Sequence, residues 1–225
     1  MKKKFLLTAV AALVLSAAGG ASAAGPQLSV VRQGAPAAQP LAHGAASTVL
    51  YDQTADDSGI GIVSQNFEAA FDAYDNQAAD DFTVPAGKAW TVSEVDATGA
   101  YFSGSGPAAS IHITFYKQKS GIPDAVVADF PALTCKEYFG SFSCKLPSSV
   151  KLKAGTYWLS VQANLDFSVG GQWAWENQTS VEGTAAMWQS PDDGFGTGCV
   201  KYTTESVCIA DGQGDHMFRL LGKSK

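Results

Sequence analysis

Aromatic side chains at alternating positions are the first candidates for chemistry in this sequence. In GGQWAWEN, residues 170–177, the indoles of Trp173 and Trp175 are two residues apart. On a β-strand they would share one face, while small and polar side chains would occupy the other. That division favours a core position for both tryptophans, and a flat platform for a sugar ring is the alternative.

Trp158 shows the opposite pattern. It lies in the polar phase of GTYWLSVQ, residues 155–162, beside Ser160 and Gln162, while the apolar phase supplies a buried side. An outward indole with such neighbours suits a sugar, because the ring can stack on the indole while polar groups bind its hydroxyls. Trp158 is therefore the predicted main contact for a carbohydrate, and an indole covered by a loop is the alternative.

A second strand could widen this surface. In SIHITFY, residues 110–116, isoleucine and phenylalanine alternate with polar side chains. If this strand lies in the sheet of Trp158, then His112 and Tyr116 face the same side. The predicted ligand-binding residues are accordingly Trp158, Gln162, Tyr116, His112 and, from the neighbouring aromatic stretch, Glu176.

Carboxylates between residues 72 and 81 are candidate calcium ligands. Calcium prefers six to eight oxygen ligands, which loop carboxylates and backbone carbonyls can supply. The spacing is not that of an EF-hand loop, and turn-forming, solvated acids are the alternative. A structural calcium ion is the one cofactor that the sequence suggests, with Asp72, Asp75, Asp80 and Asp81 as its ligands.

The sequence lacks the motifs of common hydrolases, since neither GxSxG nor HExxH occurs. His216 precedes the predicted last strand, HMFRLL, where a structural histidine is expected. A glycosidase needs only two carboxyl groups at a suitable distance, so Glu94, Glu176 and Glu182 are candidates without a defining spacing. The balance favours a protein without catalytic activity.

The elements that must position these residues are short strands. Alternating segments such as DDFTVP, SIHITFY and GTYWLSVQ are separated by Gly, Pro, Asp and Ser, a pattern typical of antiparallel sheets. Residues 66–75 form the one weakly helical candidate. The sequence therefore predicts an all-β fold: two antiparallel sheets packed as a jelly-roll-like sandwich over residues 48–225.

The four cysteines indicate two disulfides, because their number is even and the chain has the features of an exported protein. Four cysteines allow three pairings. The two matched intervals, CKEYFGSFSC and CVKYTTESVC, each enclose a predicted turn or hairpin and favour Cys135 with Cys144 and Cys199 with Cys208. A zinc site is disfavoured, since no CxxC or paired histidine occurs.

The N-terminus predicts secretion. Three lysines, an apolar run from Phe5 to about Ala18 and small residues ending at Ala23 are typical of a signal peptide, residues 1–23. The run is shorter than the roughly 20 residues of a membrane span, so no transmembrane segment is expected in the mature chain. Residues 24–47, rich in Ala and Pro, are predicted to be a flexible leader.

The charge of the mature chain excludes some partners. Removing Lys2, Lys3 and Lys4 leaves 12 Lys and Arg against 21 Asp and Glu, so the formal net charge falls from −6 to −9. Nucleic acid and anionic membrane surfaces attract basic proteins, so neither is expected to be a partner.

Several strings in the chain carry a resemblance. At AADDFTVPAGKAWTVSEVDATG, GTYWLSVQAN, GGQWAWEN and GFGTGC, the sequence resembles a group of secreted bacterial β-sandwich domains that occur alone or appended to larger exported proteins. The similarity extends from about Thr48 to the C-terminus. It implies secretion and an all-β fold; because the group has no established activity, it implies no reaction.

Together these features predict a secreted, non-catalytic module that binds carbohydrate or a cell-envelope surface. A structural or protein-interaction domain of an exported assembly is one alternative, and a glycosidase-like hydrolase on the sandwich is another. An exposed aromatic strip would indicate the first function, a large apolar patch the second, and a cleft with facing carboxylates the third.

Overall fold

The computed structural model describes residues 25–32 and 48–225. Within these ranges two β-sheets enclose an apolar core, so the predicted all-β sandwich is confirmed. The predicted signal peptide, residues 1–23, and most of the predicted leader lie outside the described residues.

The strands of the described ranges are numbered in chain order. They are β1 (Ser29–Val31), β2 (Thr48–Gln53), β3 (Asp57–Val63), β4 (Gln65–Asn66), β5 (Gln77–Ala97), β6 (Gly99–Phe102), β7 (Ser110–Lys119), β8 (Ile122–Leu133), β9 (Lys136–Tyr138), β10 (Ser141–Asn164), β11 (Gln172–Gln178), β12 (Met187–Gln189), β13 (Thr203–Thr204) and β14 (Phe218–Ser224). The helices are short: a 3-10 helix (Ala69–Tyr74), α1 (Phe167–Gly170) and α2 (Glu205–Cys208).

The smaller sheet has the strand order β1–β3–β11–β6, and all of its pairs are antiparallel. The larger sheet has the order β13–β12–β5–β10–β7–β8, with β14 pairing both β5 and β2. The long strands β5 and β10 pair through two register shifts, and the two-residue strand β4 pairs parallel to the end of β10. Side chains alternate across these strands, so every second residue of the larger sheet points away from the core.

The apolar phases predicted from the sequence form the core. Phe82, Ile113, Phe115 and Leu159 are almost fully buried in one cluster that joins the two sheets. Each such side chain contributes about 1.5–3 kcal/mol when it is fully buried. The sandwich is therefore stabilised mainly by burial between its layers.

The two tryptophans of GGQWAWEN belong to the same core. Trp173 packs against Phe142 with ring centroids 5.3 Å apart, and Trp175 packs against Phe218 at 6.1 Å. The Nε1–H groups of both indoles donate to backbone carbonyls, which satisfies their polar atoms inside the protein. Their predicted core position is confirmed.

Both predicted disulfides are present. Cys135 and Cys144 bridge the segment that contains the β9–β10 turn, and Cys199 and Cys208 close the segment that contains β13 and α2. Each bond joins cysteines nine residues apart, and a short closed loop of this kind contributes roughly 2–3 kcal/mol. The second bridge holds residues 199–208, which we name the covering segment, against the larger sheet.

One expectation about the leader is wrong. Residues 29–31 are not a flexible linker but form β1, the edge strand beside β3. Leu28 and Val30 pack against the core cluster, and Arg32 reaches buried carboxylates. Composition concealed this strand, because it is short and lies within an Ala- and Pro-rich stretch.

Candidate functional site

A row of polar side chains crosses the outer face of the larger sheet. The row runs over five neighbouring strands, β12, β5, β10, β7 and β8, and we name it the amide row. The pairing registers place Gln189 opposite Gln77 and Gln162 opposite His112. From one end to the other the amide row contains Gln189, Gln77, Gln162, His112 and Asp129.

Hydrogen bonds connect each member of the amide row to the next. Gln189 Nε2 donates to Gln77 Oε1 at 3.0 Å, and Gln77 Nε2 donates to Gln162 Oε1 at 3.4 Å. His112 then bridges the row, with Nδ1 3.3 Å from Gln162 Oε1 and Nε2 2.7 Å from Asp129 Oδ1. Both of these oxygens accept, so a neutral ring donates to one of them and an imidazolium donates to both. Because each side chain holds its neighbour, the exposed donors and acceptors are presented in fixed orientations.

The acidic end of the row is held in its ionised form. Burial raises the pKa of Asp129, but hydrogen bonds from His112 and Thr114 outweigh it and leave that pKa lowered. Thr114 Oγ1 donates to Asp129 Oδ1 at 2.8 Å. The row therefore ends in a half-exposed carboxylate that can accept further hydrogen bonds.

Two tyrosines form a wall beside the amide row. Tyr116 on β7 contacts Tyr202 in an edge-to-face arrangement, with ring centroids 5.9 Å apart. Tyr202 lies in the segment closed by the Cys199–Cys208 disulfide, and its hydroxyl is 3.5 Å from Gln77 Oε1. Burial raises the pKa of Tyr202, so its hydroxyl stays neutral at physiological pH. The site thus combines planar amides, an imidazole, a carboxylate and an aromatic wall.

The expectation that Trp158 is exposed is wrong. Its side chain is 0% exposed and lies in a small cluster with Ala79 and Met187, against which Tyr116 and Tyr202 pack. The indole does lie in the outward phase of β10, as predicted, but the disulfide-closed segment covers it. The structure therefore shows the alternative that the sequence left open, an indole beneath a loop.

Glu176 is equally inaccessible, which corrects its prediction as a ligand contact. Its side chain is 0% exposed, and its Oε1 lies 2.7 Å from Arg32 Nε. Burial raises the pKa of Glu176 to about 7, although the Arg32 charge opposes that shift. The strand β11 is buried on both faces, so its polar phase does not mark a solvent-facing side.

The four acids predicted to bind calcium do not converge. Asp72 is exposed on the 3-10 helix, while Asp75 accepts a hydrogen bond from a nearby backbone N–H. Asp80 and Asp81 are adjacent on β5 and therefore point to opposite faces, Asp80 accepting from the backbone N–H of His216 at 2.5 Å. In residues 25–32 and 48–225, no group of three or more His, Cys, Asp or Glu side chains could hold a metal ion.

The three glutamates considered for glycoside hydrolysis lie in three different environments. Glu94 accepts a hydrogen bond from Ser143 at 2.7 Å, Glu176 is enclosed with Arg32, and Glu182 is exposed. These settings do not form a cleft in which two carboxyl groups face one substrate.

His216 is fully buried, as expected for a structural histidine. Its ring stacks on Trp175 at 4.4 Å, and its Nε2 is 2.8 Å from a Glu205 carboxylate oxygen. Glu205 lines a pocket of about 360 Å³, but the imidazole behind it has no exposed surface. The pair is therefore part of the packing beneath the pocket.

Three of the five predicted ligand-binding residues are brought together, namely His112, Gln162 and Tyr116. Sequence reasoning missed the residues that come from other strands: Gln77, Gln189, Asp129 and Tyr202. Gln77 lies two residues before the buried Ala79, and Gln189 lies two residues after the buried Met187. That alternation could have indicated their side of the sheet, but only the register joins them in a row.

No family model matches the sequence, and no curated protein matches it. One similar solved structure is that of the cysteine protease and lectin-like domains of Cwp84, a surface layer associated protein of Clostridium difficile. The two chains are 12% identical with a TM-score of 0.49, and the match covers 81% of this chain and 36% of that one. The chain thus spans about a third of the length of that structure.

The two disulfides bear on the cellular location. Both disulfides fit an extracellular protein, since such bonds persist in oxidising compartments. None of the helices in the described part of the chain is long and apolar enough to cross a membrane.

Proposed function

We propose that this protein is a secreted, non-catalytic binding module that recognises carbohydrate or a glycan-bearing cell-envelope surface through the amide row. The observation that carries this proposal is the continuous set of hydrogen bonds from Gln189 to Asp129 across five strands. It is a preorganised polar surface on a rigid sheet. Such a surface binds without a large ordering cost, because its side chains are already held in place.

The chemistry of the row suits hydroxyl-rich ligands. A sugar presents adjacent hydroxyls that act as donors and acceptors, and side-chain amides together with a carboxylate can match both roles. The Tyr116 and Tyr202 rings give a partly apolar edge on which the C–H face of a sugar can pack.

A pull-down against insoluble polysaccharides and cell-wall material tests the proposal. Gln77→Ala should abolish retention, since Gln77 links three other side chains of the site. Gln118→Ala is the matched control, because Gln118 is an exposed residue of β7 outside the row. Equal retention of both variants would move the binding site away from the amide row, and no retention of any form would reject glycan recognition.

One feature favours protein interaction as a second candidate function. Tyr138 and Phe139 are 56% and 82% exposed, and their rings contact each other at 4.7 Å beside the Cys135–Cys144 disulfide. A rigid, exposed aromatic pair is typical of a contact with another protein. Phe139→Ser should leave glycan retention unchanged while removing any protein that co-purifies from the native culture medium.

A further inference from the structure

Residues 27–32 are held by the rest of the domain in the manner of a bound peptide. The strand β1 within them pairs antiparallel with β3, placing Val30 opposite Gly61 and Val31 opposite Ile60. Backbone hydrogen bonds continue on both sides of β1, from Val63 N–H to the Leu28 carbonyl and from Arg32 N–H to the Gly59 carbonyl. This is the backbone geometry of strand addition at a sheet edge.

A buried side-chain amide hydrogen-bonds to the backbone at the start of the segment. The Gln27 N–H donates to Gln172 Oε1 at 2.8 Å, and Gln172 Nε2 donates to the Gln27 carbonyl at 2.8 Å. Gln172 is fully buried on β11, so this two-point contact replaces a further ladder pair. It recognises an extended backbone whatever the side chain at that position.

An acidic pocket receives the side chain at the other end of the segment. Arg32 Nη2 is 2.6 Å from Asp57 Oδ1 and 2.5 Å from Asp57 Oδ2, and Arg32 Nε is 2.7 Å from Glu176 Oε1. The exposed fractions of the three side chains are 10%, 12% and 0%. A planar guanidinium can engage two carboxylates in this way, whereas a lysine ammonium acts as a single point charge.

Gly61 keeps the floor between these two contacts open. A Cβ at this position would lie 2.8 Å from the Ala174 Cβ, 3.4 Å from a Val30 methyl and 3.5 Å from Glu176 Oε1. Without a side chain, Gly61 leaves room for Val30 and for the carboxylate that meets Arg32. The amide, the glycine floor and the acidic pocket together define a groove, which we name the arginine groove.

We propose that the arginine groove is a site for an extended peptide with an arginine at its carboxyl end, and that residues 27–32 of a second copy of this chain can fill it by strand exchange. The contacts described above are all made to residues 57–63 and 172–176, so they fit an identical segment from either chain. Residues 33–47 separate the segment from the sandwich in sequence. Exchange of an identical element between copies creates a closed dimer without any new contact.

The physical reason for exchange is the cost of an empty groove. Without the segment, β3 would present an unpaired edge, and the Gln172 amide would lose both of its partners at Gln27. Glu176, which is 0% exposed, would also lose the Arg32 charge that lies 2.7 Å from its Oε1. Whenever the segment leaves its own domain, the vacated groove therefore favours another copy of the same sequence.

A cysteine pair across β1 and β3 tests the proposal on the full chain. Val31 and Ile60 lie directly opposite each other and form a non-hydrogen-bonded pair of the ladder. In such a pair the Cα atoms are about 4.5 Å apart, which is within disulfide range. A Val31→Cys chain is mixed with an affinity-tagged Ile60→Cys chain, and mixed disulfide dimers are measured on a non-reducing gel. Strand exchange predicts that this mixed dimer accumulates with time.

Two further variants serve as controls for the mixed-dimer measurement. Val126→Cys replaces Ile60→Cys as the control, because Val126 is an exposed residue of β8 on the other sheet and should give only background dimer. Adding Arg32→Ala to the Val31→Cys chain should lower the mixed dimer roughly tenfold, and Arg32→Lys should restore it only in part.

Two results would overturn strand exchange. One is a mixed dimer no more abundant than the Val126→Cys background. The other is a mixed dimer that is insensitive to Arg32→Ala. That result would show that the two chains form the disulfide by random collision and that the segment does not bind in the arginine groove. The double variant Val31→Cys/Ile60→Cys within one chain should close in cis; if it does not, the β1–β3 pairing itself is rejected.

Discussion

Arg32 and Glu176 form a buried ion pair between the N-terminal segment and the middle of the smaller sheet, with Nε and Oε1 2.7 Å apart. The two residues are 144 positions apart in the sequence. Their contact ties the edge strand β1 to β11 through β3. The Arg32 charge offsets part of the cost of burying the Glu176 carboxylate on β11.

Arg32→Ala should therefore destabilise the fold by about 3 kcal/mol, because it removes the cation that the Asp57 and Glu176 side chains share, 12% and 0% exposed. The free energy of unfolding in urea at pH 7 measures the effect. Asp52→Ala is the comparison, since Asp52 is the 39% exposed partner of Arg219, which keeps Asp96 at 3.9 Å, and its loss should cost less than about 1 kcal/mol. Adding Glu176→Gln to Arg32→Ala should recover part of the loss; a double variant as unstable as the single one would reject the ion-pair explanation.

The stability of the protein should fall as the pH rises from about 5 to 8. Burial raises the pKa of Glu176 from 4.5 to about 7 and that of Asp215 from 3.8 to about 6, and it also raises that of Asp80. In this window the folded state retains protons that the unfolded state has released. The slope of the unfolding free energy with pH is therefore negative.

The change from Glu176 alone is about 3 kcal/mol across that window, since one pKa unit corresponds to about 1.4 kcal/mol. Urea titrations at half-unit pH intervals measure the slope, and Glu176→Gln should make it shallower. Rising stability over the same range in the unmodified protein would show that Glu176 and Asp215 are ionised in the folded state at pH 5.

Trp158 should behave as a packing residue. Trp158→Ala is expected to cost about 3–5 kcal/mol, because it leaves a cavity beneath the covering segment. Trp158→Phe should cost less, because the Trp158 Nε1 has no hydrogen-bond partner within residues 25–32 and 48–225. Thermal unfolding measures both effects. A Trp158→Ala variant with unchanged Tm would show that the Trp158 indole does not contribute to packing and lies at the surface.

The sequence predicted the strands and disulfides well because both depend on local patterns. Alternation in SIHITFY and GTYWLSVQ identified the inward residues, and matched intervals identified Cys135–Cys144 and Cys199–Cys208. Local patterns also placed Trp158, His112 and Gln162 on one face of the larger sheet. They could not show that a segment closed by a distant disulfide covers the first of these residues.

The errors arise where a distant segment supplies the partner. Gln172 and Glu176 resemble exposed polar residues in sequence, yet they are buried because Gln27 and Arg32 reach them from 145 and 144 residues away. Similarly, Asp72 to Asp81 looks like a cation-binding run until the 3-10 helix and the pleat of β5 separate its carboxylates. Contacts of this range depend on strand order, which periodicity within a single segment does not contain.

The two disulfides should differ in their effect on binding, although they enclose loops of the same length. Cys199→Ser/Cys208→Ser and Cys135→Ser/Cys144→Ser should each cost roughly 2–3 kcal/mol of stability. Only the first pair releases the segment that carries Tyr202, so only it should weaken polysaccharide retention and increase acrylamide quenching of tryptophan fluorescence as Trp158 becomes exposed.

The second pair of substitutions is the matched control, since its loop carries Tyr138 and Phe139 and contains no member of the amide row. Retention by the pull-down and quenching by acrylamide are measured on both variants at a temperature where each remains folded. If both variants keep full retention, the Tyr202 wall contributes nothing to the ligand, and the amide row must bind without it. If both lose retention equally, the effect reflects general destabilisation, because the two loops share only their length.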